Sequence, residues 1–444
     1  MKLWQPVAAL LCCVMFSGCV PMQTNVENLM QPPKLTELQY QADTALRDAV
    51  RQDFTLKYPS NGKYKSAFNF IDLSGDGVDE AIAFFSISDD YTQLAVLTQR
   101  DGKWTVSDIL SGLNFCNEVD FVAFEPIGDI ARLMVGWGGV GLESNIMAVY
   151  NYSSSDGGQP VLELDSRWSY NRMTITDLDQ NGKNEILLLV AADSYNKASP
   201  TAQLIGESSE GIIDSFSEIK LPRNITAFYP PVLGGIGDNR YGATLDCTLS
   251  SGSLCTVTLA WENGELVLPL NDIDSKLFRQ TVRTQNVLSA DVNGDRVVDI
   301  PLEVTAVGYP SGGSDSVFFT RYSNMQKDDL LTVQTAYVNH AKGYRFMFPT
   351  SWNTTSVSAQ LTPDGSEVVF FVYQSDNLYD HSRELLKIKV YNAQDGQDIL
   401  ESDRYFELAS KGTYTYCGAL PATPDDLLGI TKAQAEKLFS LMTS

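Results

Sequence analysis

Asp72-Leu-Ser-Gly-Asp-Gly-Val-Asp-Glu80, set between Phe68-Asn-Phe-Ile71 and Ala81-Ile-Ala-Phe-Phe85, is the stretch from which the architecture is read. It recurs at the same offsets as Asp177-Leu-Asp-Gln-Asn-Gly-Lys-Asn-Glu185 before Ile186-Leu-Leu-Leu-Val190, and as Asp291-Val-Asn-Gly-Asp-Arg-Val-Val-Asp299 before Ile300. Two worn copies, Glu125-Pro-Ile-Gly-Asp129 and Gly234-Gly-Ile-Gly-Asp238, fall between them. The five starts, 72, 125, 177, 234 and 291, are separated by steps of 53, 52, 57 and 57 residues. Self-similarity at such a period marks a repeat architecture.

Around each copy lie short runs rich in Val, Ile, Phe, Tyr and Thr, broken by Gly, Asn, Asp and Ser clusters, which is strand patterning. One period holds four of them: Ala81 to Ser86, Gln93 to Thr98, Trp104 to Ile109 and Val119 to Phe124. Four strands per repeat of about 55 residues suit a blade that buries its faces against its neighbours. The expected fold is mainly β: a β-propeller of about five blades over 57–336, closed by a strand from the first segment, with a less regular stack of sheets as the alternative. An N-terminal helix is expected over 35–56. There Thr36 and Gln39 form a capping-box pattern, and Leu38, Ala42, Ala45, Leu46, Ala49, Val50 and Phe54 share one face.

After Asn339 the period stops. Residues 337–444 read as a small α+β domain that ends in a helix from Thr431, with Gln434 as its capping partner, through Ala435, Leu438, Phe439 and Met442. Its opening Gly343-Tyr-Arg-Phe-Met-Phe-Pro349 with Trp352 resembles the first strand of PsbP/Mog1-like domains.

The loops are built for a hard cation. Oxygen side chains stand at positions one, three, five and nine, and a main-chain carbonyl is available at seven. The sets are Asp72, Ser74, Asp76, Val78 and Glu80; Asp177, Asp179, Asn181, Lys183 and Glu185; and Asp291, Asn293, Asp295, Val297 and Asp299. Alternating oxygens on a short flexible loop suit calcium. Position six, Gly77 or Gly182, calls for a positive φ, so Arg296 there implies strain of about 1 kcal/mol. The competing reading is that Asp, Asn and Gly simply form turns. An EF-hand is excluded, because position twelve is Ala83, Leu188 or Leu302 and strands flank the loop.

This loop-then-strand form resembles the FG-GAP/VCBS repeats of integrin-like β-propellers. The resemblance implies structural calcium ions at the blade corners. Other motifs are weak. Gly136-Trp-Gly-Gly-Val-Gly141 has dinucleotide-loop spacing but leads into the strand-like Ile146-Met-Ala-Val-Tyr150, so no helix N-terminus awaits a phosphate. His340 and His381 are the chain's two histidines and neither has a Cys or His cluster, which leaves zinc and triad chemistry unsupported. Trp104, Trp137, Trp168 and Trp261 read as blade core or, alternatively, a sugar-binding surface.

The 444 residues are 43% apolar with a net charge of −23, which supplies real cores and disfavours nucleic acid. At the N-terminus the apolar run Val7 to Phe16 has the length of a signal-peptide core. Phe16-Ser-Gly-Cys19 resembles the lipobox of bacterial lipoproteins, although Phe16 replaces the usual Leu. That resemblance implies a signal peptide over 1–18, lipid on Cys19, a tether over 19–34 and an extracytoplasmic protein anchored to the bacterial membrane. Cys247 and Cys255 flank Ser250-Ser-Gly-Ser253 in a hairpin layout, either as a disulfide or as two buried thiols. The expected work is binding and not catalysis, by a monomer that recognises an envelope protein or polysaccharide. The alternatives are a glycan-active enzyme using Asp and Glu, or a surface spacer.

Overall fold

The computed structural model describes residues 35–442 apart from 89–90, 114, 140, 155–159, 193–197, 271–275, 311–312, 314, 328, 375–376, 379, 393–394, 396–399 and 401–403. The expected signal segment, Cys19 and the tether lie outside the described residues. Among the described residues, no helix is long and apolar enough to cross a membrane.

Helix α1 (Glu37–Val50) starts where its capping box says. The Thr36 hydroxyl accepts from the Gln39 N–H, the Gln39 side chain accepts from the Thr36 N–H, and Arg51 ends the helix at φ 54°. Its buried face is narrower than expected. Ala42 and Leu46 are buried, while Leu38 is 50% exposed and Ala49 also faces out.

The chain then builds antiparallel meanders in sequence order. In the first, β1 (Thr55–Lys57) and β2 (Phe68–Ile71) share one edge of β3 (Glu80–Ser86), and β4 (Gln93–Arg100) and β5 (Lys103–Ser111) follow. The second is β6 (Glu118–Ile127), β7 (Ile130–Gly138), β8 (Asn145–Ser154) and β9 (Pro160–Tyr170). The third is β10 (Arg172–Thr176), β11 (Glu185–Val190), β12 (Thr201–Glu207) and β13 (Ile213–Lys220). In the fourth, β14 (Ile225–Phe228) and β15 (Val232–Gly237) share one edge of β16 (Arg240–Leu249), and β17 (Leu254–Glu262) and β18 (Glu265–Val267) follow on the other. A short helix α2 (Lys276–Gln280) leads to the fifth, β19 (Ile300–Thr305), β20 (Phe318–Gln326), β21 (Asp329–Asn339) and β22 (Tyr344–Met347). One parallel pair, Gly237 with Met325, joins the fourth meander to the fifth.

Four strands per period were expected, and the phase differs by one strand. The run Val119 to Phe124 lies in β6 and opens the second sheet, because it pairs with β7 and not with β5.

The sheets stack because both of their faces are apolar. Along β3, Ile82 and Phe84 pack towards the second sheet with Val135 and Trp137, while Ala81, Ala83 and Phe85 pack under α1 with Ala42 and Leu46. At the other end, Phe319 and Tyr337 of the fifth sheet share a core with Trp352, Phe370 and Phe439 of the C-terminal segment. In a closed ring the outer faces of the first and last sheets would cover each other. Here a helix covers one and the C-terminal segment covers the other, and the sheets do not close. The strand β1, expected to complete the last blade, pairs instead with β3 of its own sheet, Thr55 opposite Ser86.

The C-terminal segment forms a sheet of β23 (Val357–Leu361), β24 (Glu367–Val372), β25 (Glu384–Asn392), β26 (Phe406–Lys411) and β27 (Tyr414–Ala419), followed by helix α3 (Lys432–Leu438) and β28 (Phe439–Leu441). The expected boundary at 336–337 falls inside β21. The final helix is capped by Thr431 and Gln434 as expected, yet it stops at Leu438 and does not run on to Met442. Phe439 turns extended, stacks on Tyr344 at 5.2 Å between ring centroids, and β28 pairs with β22.

Candidate cation-binding loops

The three acidic loops occupy one structural position, the turn that leads into the strand pairing with the next long strand of the sheet: β3, β11 or β19. Loop 72–80 joins β2 to β3, loop 177–185 joins β10 to β11, and loop 291–299 precedes β19, with Ala290 bridging Asp299 in place of a first strand. The worn copies occupy the same junction in the second and fourth sheets. There they are tight hairpins turning at Gly128-Asp129 and Asp238-Asn239, with no loop to hold ligands.

All three loops share a hydrogen-bond plan. The first carboxylate accepts from main-chain N–H groups across the turn: Asp72 from Gly75 (2.7 Å), Asp76 (3.1 Å) and Gly77 (2.9 Å); Asp177 from Asn181 and Gly182 (2.9 Å each); Asp291 from Gly294 (2.7 Å), Asp295 (3.2 Å) and Arg296 (2.9 Å). These bonds, led by the one from Arg296, hold the Asp291 carboxyl below the usual range. The fifth residue accepts from the seventh N–H at 2.8 Å in every copy: Asp76 from Val78, Asn181 from Lys183 and Asp295 from Val297. That bond orients the peptide at position seven.

The ninth residue reaches back to the second N–H. Glu80 accepts from Leu73 at 2.9 Å, Glu185 from Leu178 at 2.9 Å and Asp299 from Val292 at 3.1 Å. These three acids are buried, whereas the turn residues 74–79, 180–183 and 293–296 are exposed. Burial raises all three carboxyls, and the other acids of each loop add to it: Glu80 goes up, Glu185 is pushed up to about 7 and Asp299 up to about 6. Oδ1 of Asp299 is buried with no hydrogen-bond partner. A buried oxygen facing like charges, with no donor supplied by the protein, matches what a hard cation offers.

The copies differ in how tightly they converge. Among the described residues, only Asp177, Asp179 and Glu185 bring three carboxylate oxygens within 4.8 Å of one another. In the other two loops position three is Ser74 or Asn293, so the third carboxylate comes from Asp76 or Asp295, which is turned towards the seventh N–H. The expected ligands are therefore best assembled in the second loop.

The backbone bears out position six. Gly77, Gly182 and Arg296 have φ of 86°, 88° and 70°. Position four is also left-handed, at Gly75 (73°), Gln180 (59°) and Gly294 (81°), a requirement that the glycines at 75 and 294 signal in the sequence. Neighbouring sheets complete the surroundings. Lys183 pairs with Asp129 of the second-sheet hairpin at 2.6 Å, and the Gly128 N–H donates to the Asn184 carbonyl at 3.0 Å. The Gly235 N–H donates to the Arg296 carbonyl at 3.0 Å. Tyr152 of β8 stands beside the first loop, where burial and then the Glu80 and Asp76 carboxylates raise its phenol.

The remaining candidates resolve as packing residues. Trp137 is fully buried, Trp104 is buried, and Trp168 and Trp261 are half-buried against sheet cores, so they form no open platform. Cys247 and Cys255 lie directly opposite each other on β16 and β17 as buried free thiols. Of the stretch 136–141, Gly136 to Gly138 end β7, Gly141 lies in the turn before β8, and a strand, not a helix, follows.

No family model matches the chain, and no curated protein matches it. Among solved structures it is similar to rhamnogalacturonan lyase PL11 of Bacillus licheniformis, at 10% identity and a TM-score of 0.29, covering 72% of this chain and 68% of that one. A likeness of that size assigns no activity.

Proposed function

We propose that this chain is a calcium-stabilised binding scaffold of the bacterial cell surface, held to the membrane by lipid on Cys19 and recognising an envelope protein or polysaccharide. One observation carries the calcium part: the same loop, with a buried acid at its ninth position, stands at the same junction of the first, third and fifth sheets. Asp72, Ser74, Asp76 and Glu80, their counterparts Asp177, Asp179, Asn181 and Glu185, and Asp291, Asn293, Asp295 and Asp299 would hold the ions. The carbonyls of Val78, Lys183 and Val297 would complete each set. The ion's part is to neutralise the gathered carboxylates and fix the loop against the sheet edge. Rigid sheets that leave their connecting loops to a partner support the binding reading.

Calorimetric melting of the purified chain tests the calcium part. Calcium is expected to raise the melting temperature and a chelator to lower it; coincident melts would remove the assignment. Crosslinking in the native envelope tests the partner. Release of reducing ends from a glycan panel, lost on carboxylate substitution, would replace binding by catalysis.

A further inference from the structure

Arg345 differs from the buried, paired arginines of the chain, and shares with Arg321 a buried Nε that has no acceptor. Arg132 and Arg283 are buried, are paired with Glu207 and Asp246, and also donate to main-chain carbonyls. Arg345 makes no ion pair or side-chain hydrogen bond with the described residues, and its Nε is buried without an acceptor. A donor withdrawn from water and left without an acceptor is costly, and an oxygen acceptor would relieve it.

The fold explains the placement. On β22, Tyr344 and Phe346 enter the C-terminal core, and alternation turns Arg345 to the other face, where it sits opposite Ser440 of β28. It lines a cavity of about 390 Å³ together with Asn286, His340 and Ser440, and Val287 and Leu441 contribute apolar wall. None of the described residues lining the cavity is acidic. Asn286 accepts from the Tyr229 hydroxyl through Oδ1 at 3.2 Å, so its amide N–H groups remain to donate. Burial lowers the His340 pKa, so near neutral pH Arg345 is the one full positive charge of the site.

We propose that this cavity binds a small carboxylic acid, with the carboxylate held by the Arg345 fork and the apolar body against Val287 and Leu441. A guanidinium pairs a carboxylate through two parallel N–H bonds, and one cation balances a monoanion, whereas a phosphate dianion would be left half compensated. The volume lies within the range of small-molecule sites. None of the loop acids lines the cavity, although its wall residues Val287 and Tyr322 share an apolar cluster with Val292 of the third loop.

Titration calorimetry of the full chain with hexanoate and benzoate tests this, with hexanol and inorganic phosphate as controls. Both carboxylates are expected to bind saturably. Arg345→Gln is expected to weaken them roughly tenfold or more, as loss of a charge-assisted bond does, and Arg345→Lys to weaken them less. Arg223→Gln, an exposed arginine elsewhere, should leave binding unchanged. If Arg345→Gln fails to fold, Arg345→Lys and His340→Gln, each expected to weaken binding several-fold in a chain with a normal melt, carry the test. The proposal is overturned by the absence of saturation with either acid, by equal binding of hexanol, or by tighter binding of phosphate. Binding unaltered by the Arg345 substitutions, or appearing only after residues 443–444 are deleted, overturns it as well.

Discussion

Glu185 concentrates the electrostatic problem of the second loop in one side chain. Its folded pKa, about 7, lies above the ordinary glutamate value, and Asp299 at about 6 behaves alike. A carboxyl whose folded pKa is raised contributes stability below its unfolded pKa and loses it as pH rises through the folded value. The metal-free chain should therefore lose stability between about pH 4 and 7 on account of these groups. The stabilisation by calcium should grow over the same window, because ionised ligands are what a cation needs. Melting temperatures in chelator and in calcium across this range check both signs; a calcium effect that shrinks with rising pH contradicts them. Glu185→Gln is expected to raise the metal-free melting temperature at pH 7.5 and to reduce the response to calcium. Arg296, at φ 70° where the other loops have glycine, gives a second residue-scale outcome. Arg296→Gly should stabilise the chain by up to about 1 kcal/mol in urea unfolding, the relief of a left-handed side chain less the entropy of the new glycine.

At the scale of elements, loops and hairpins alternate and dock on each other. The second-sheet hairpin bonds to loop 177–185, and Gly235 of β15 in the fourth sheet bonds to loop 291–299. Beneath the first of these contacts, Arg132 on β7 pairs with Glu207 on β12 at 2.9 Å and donates to the Ile127 and Gly211 carbonyls. The guanidinium is fully buried, so removing it strands both the carboxylate and the carbonyls. Arg132→Gln is expected to cost about 3–5 kcal/mol in urea unfolding, and Arg132→Met with Glu207→Leu to recover much of that loss. A single variant that unfolds like the parent would show that the pair does not hold the two sheets together.

Across the whole molecule, α1 and the C-terminal segment act as end caps on a stack, as terminal elements of repeat proteins do. Deleting residues 35–51 should expose Ala81, Ala83 and Phe85 on the face of β3 that α1 covers. The expected result is aggregation or dye binding with loss of a cooperative melt; an unchanged monomeric melt would mean that something else covers that face. Strand content, the caps at Thr36 and Thr431, the loop spacing and the positive φ at position six were legible in the residues, because each depends on neighbours within a few positions. Leu38 and Leu438 show where that reading stopped. The helical pattern put Leu38 on the buried face, yet the first sheet meets α1 along Ala42, Ala45, Leu46 and Val50 and leaves Leu38 exposed. The pairing of β28 with β22 ended the last helix at Leu438 although its apolar spacing continued. The acidic loops stood out by composition, but the burial of Glu80, Glu185 and Asp299 and the convergence of Asp177, Asp179 and Glu185 arise only when strands are paired. Arg345 carried no local signal at all, since its isolation depends on which carboxylates other segments bring near. The sequence by itself determined the repeat, its strands and its loops, which are set by local periodicity and turn chemistry. Only the tertiary structure decided that the stack stays open and which charges stand alone, because both depend on which apolar faces and side chains from distant segments finally meet.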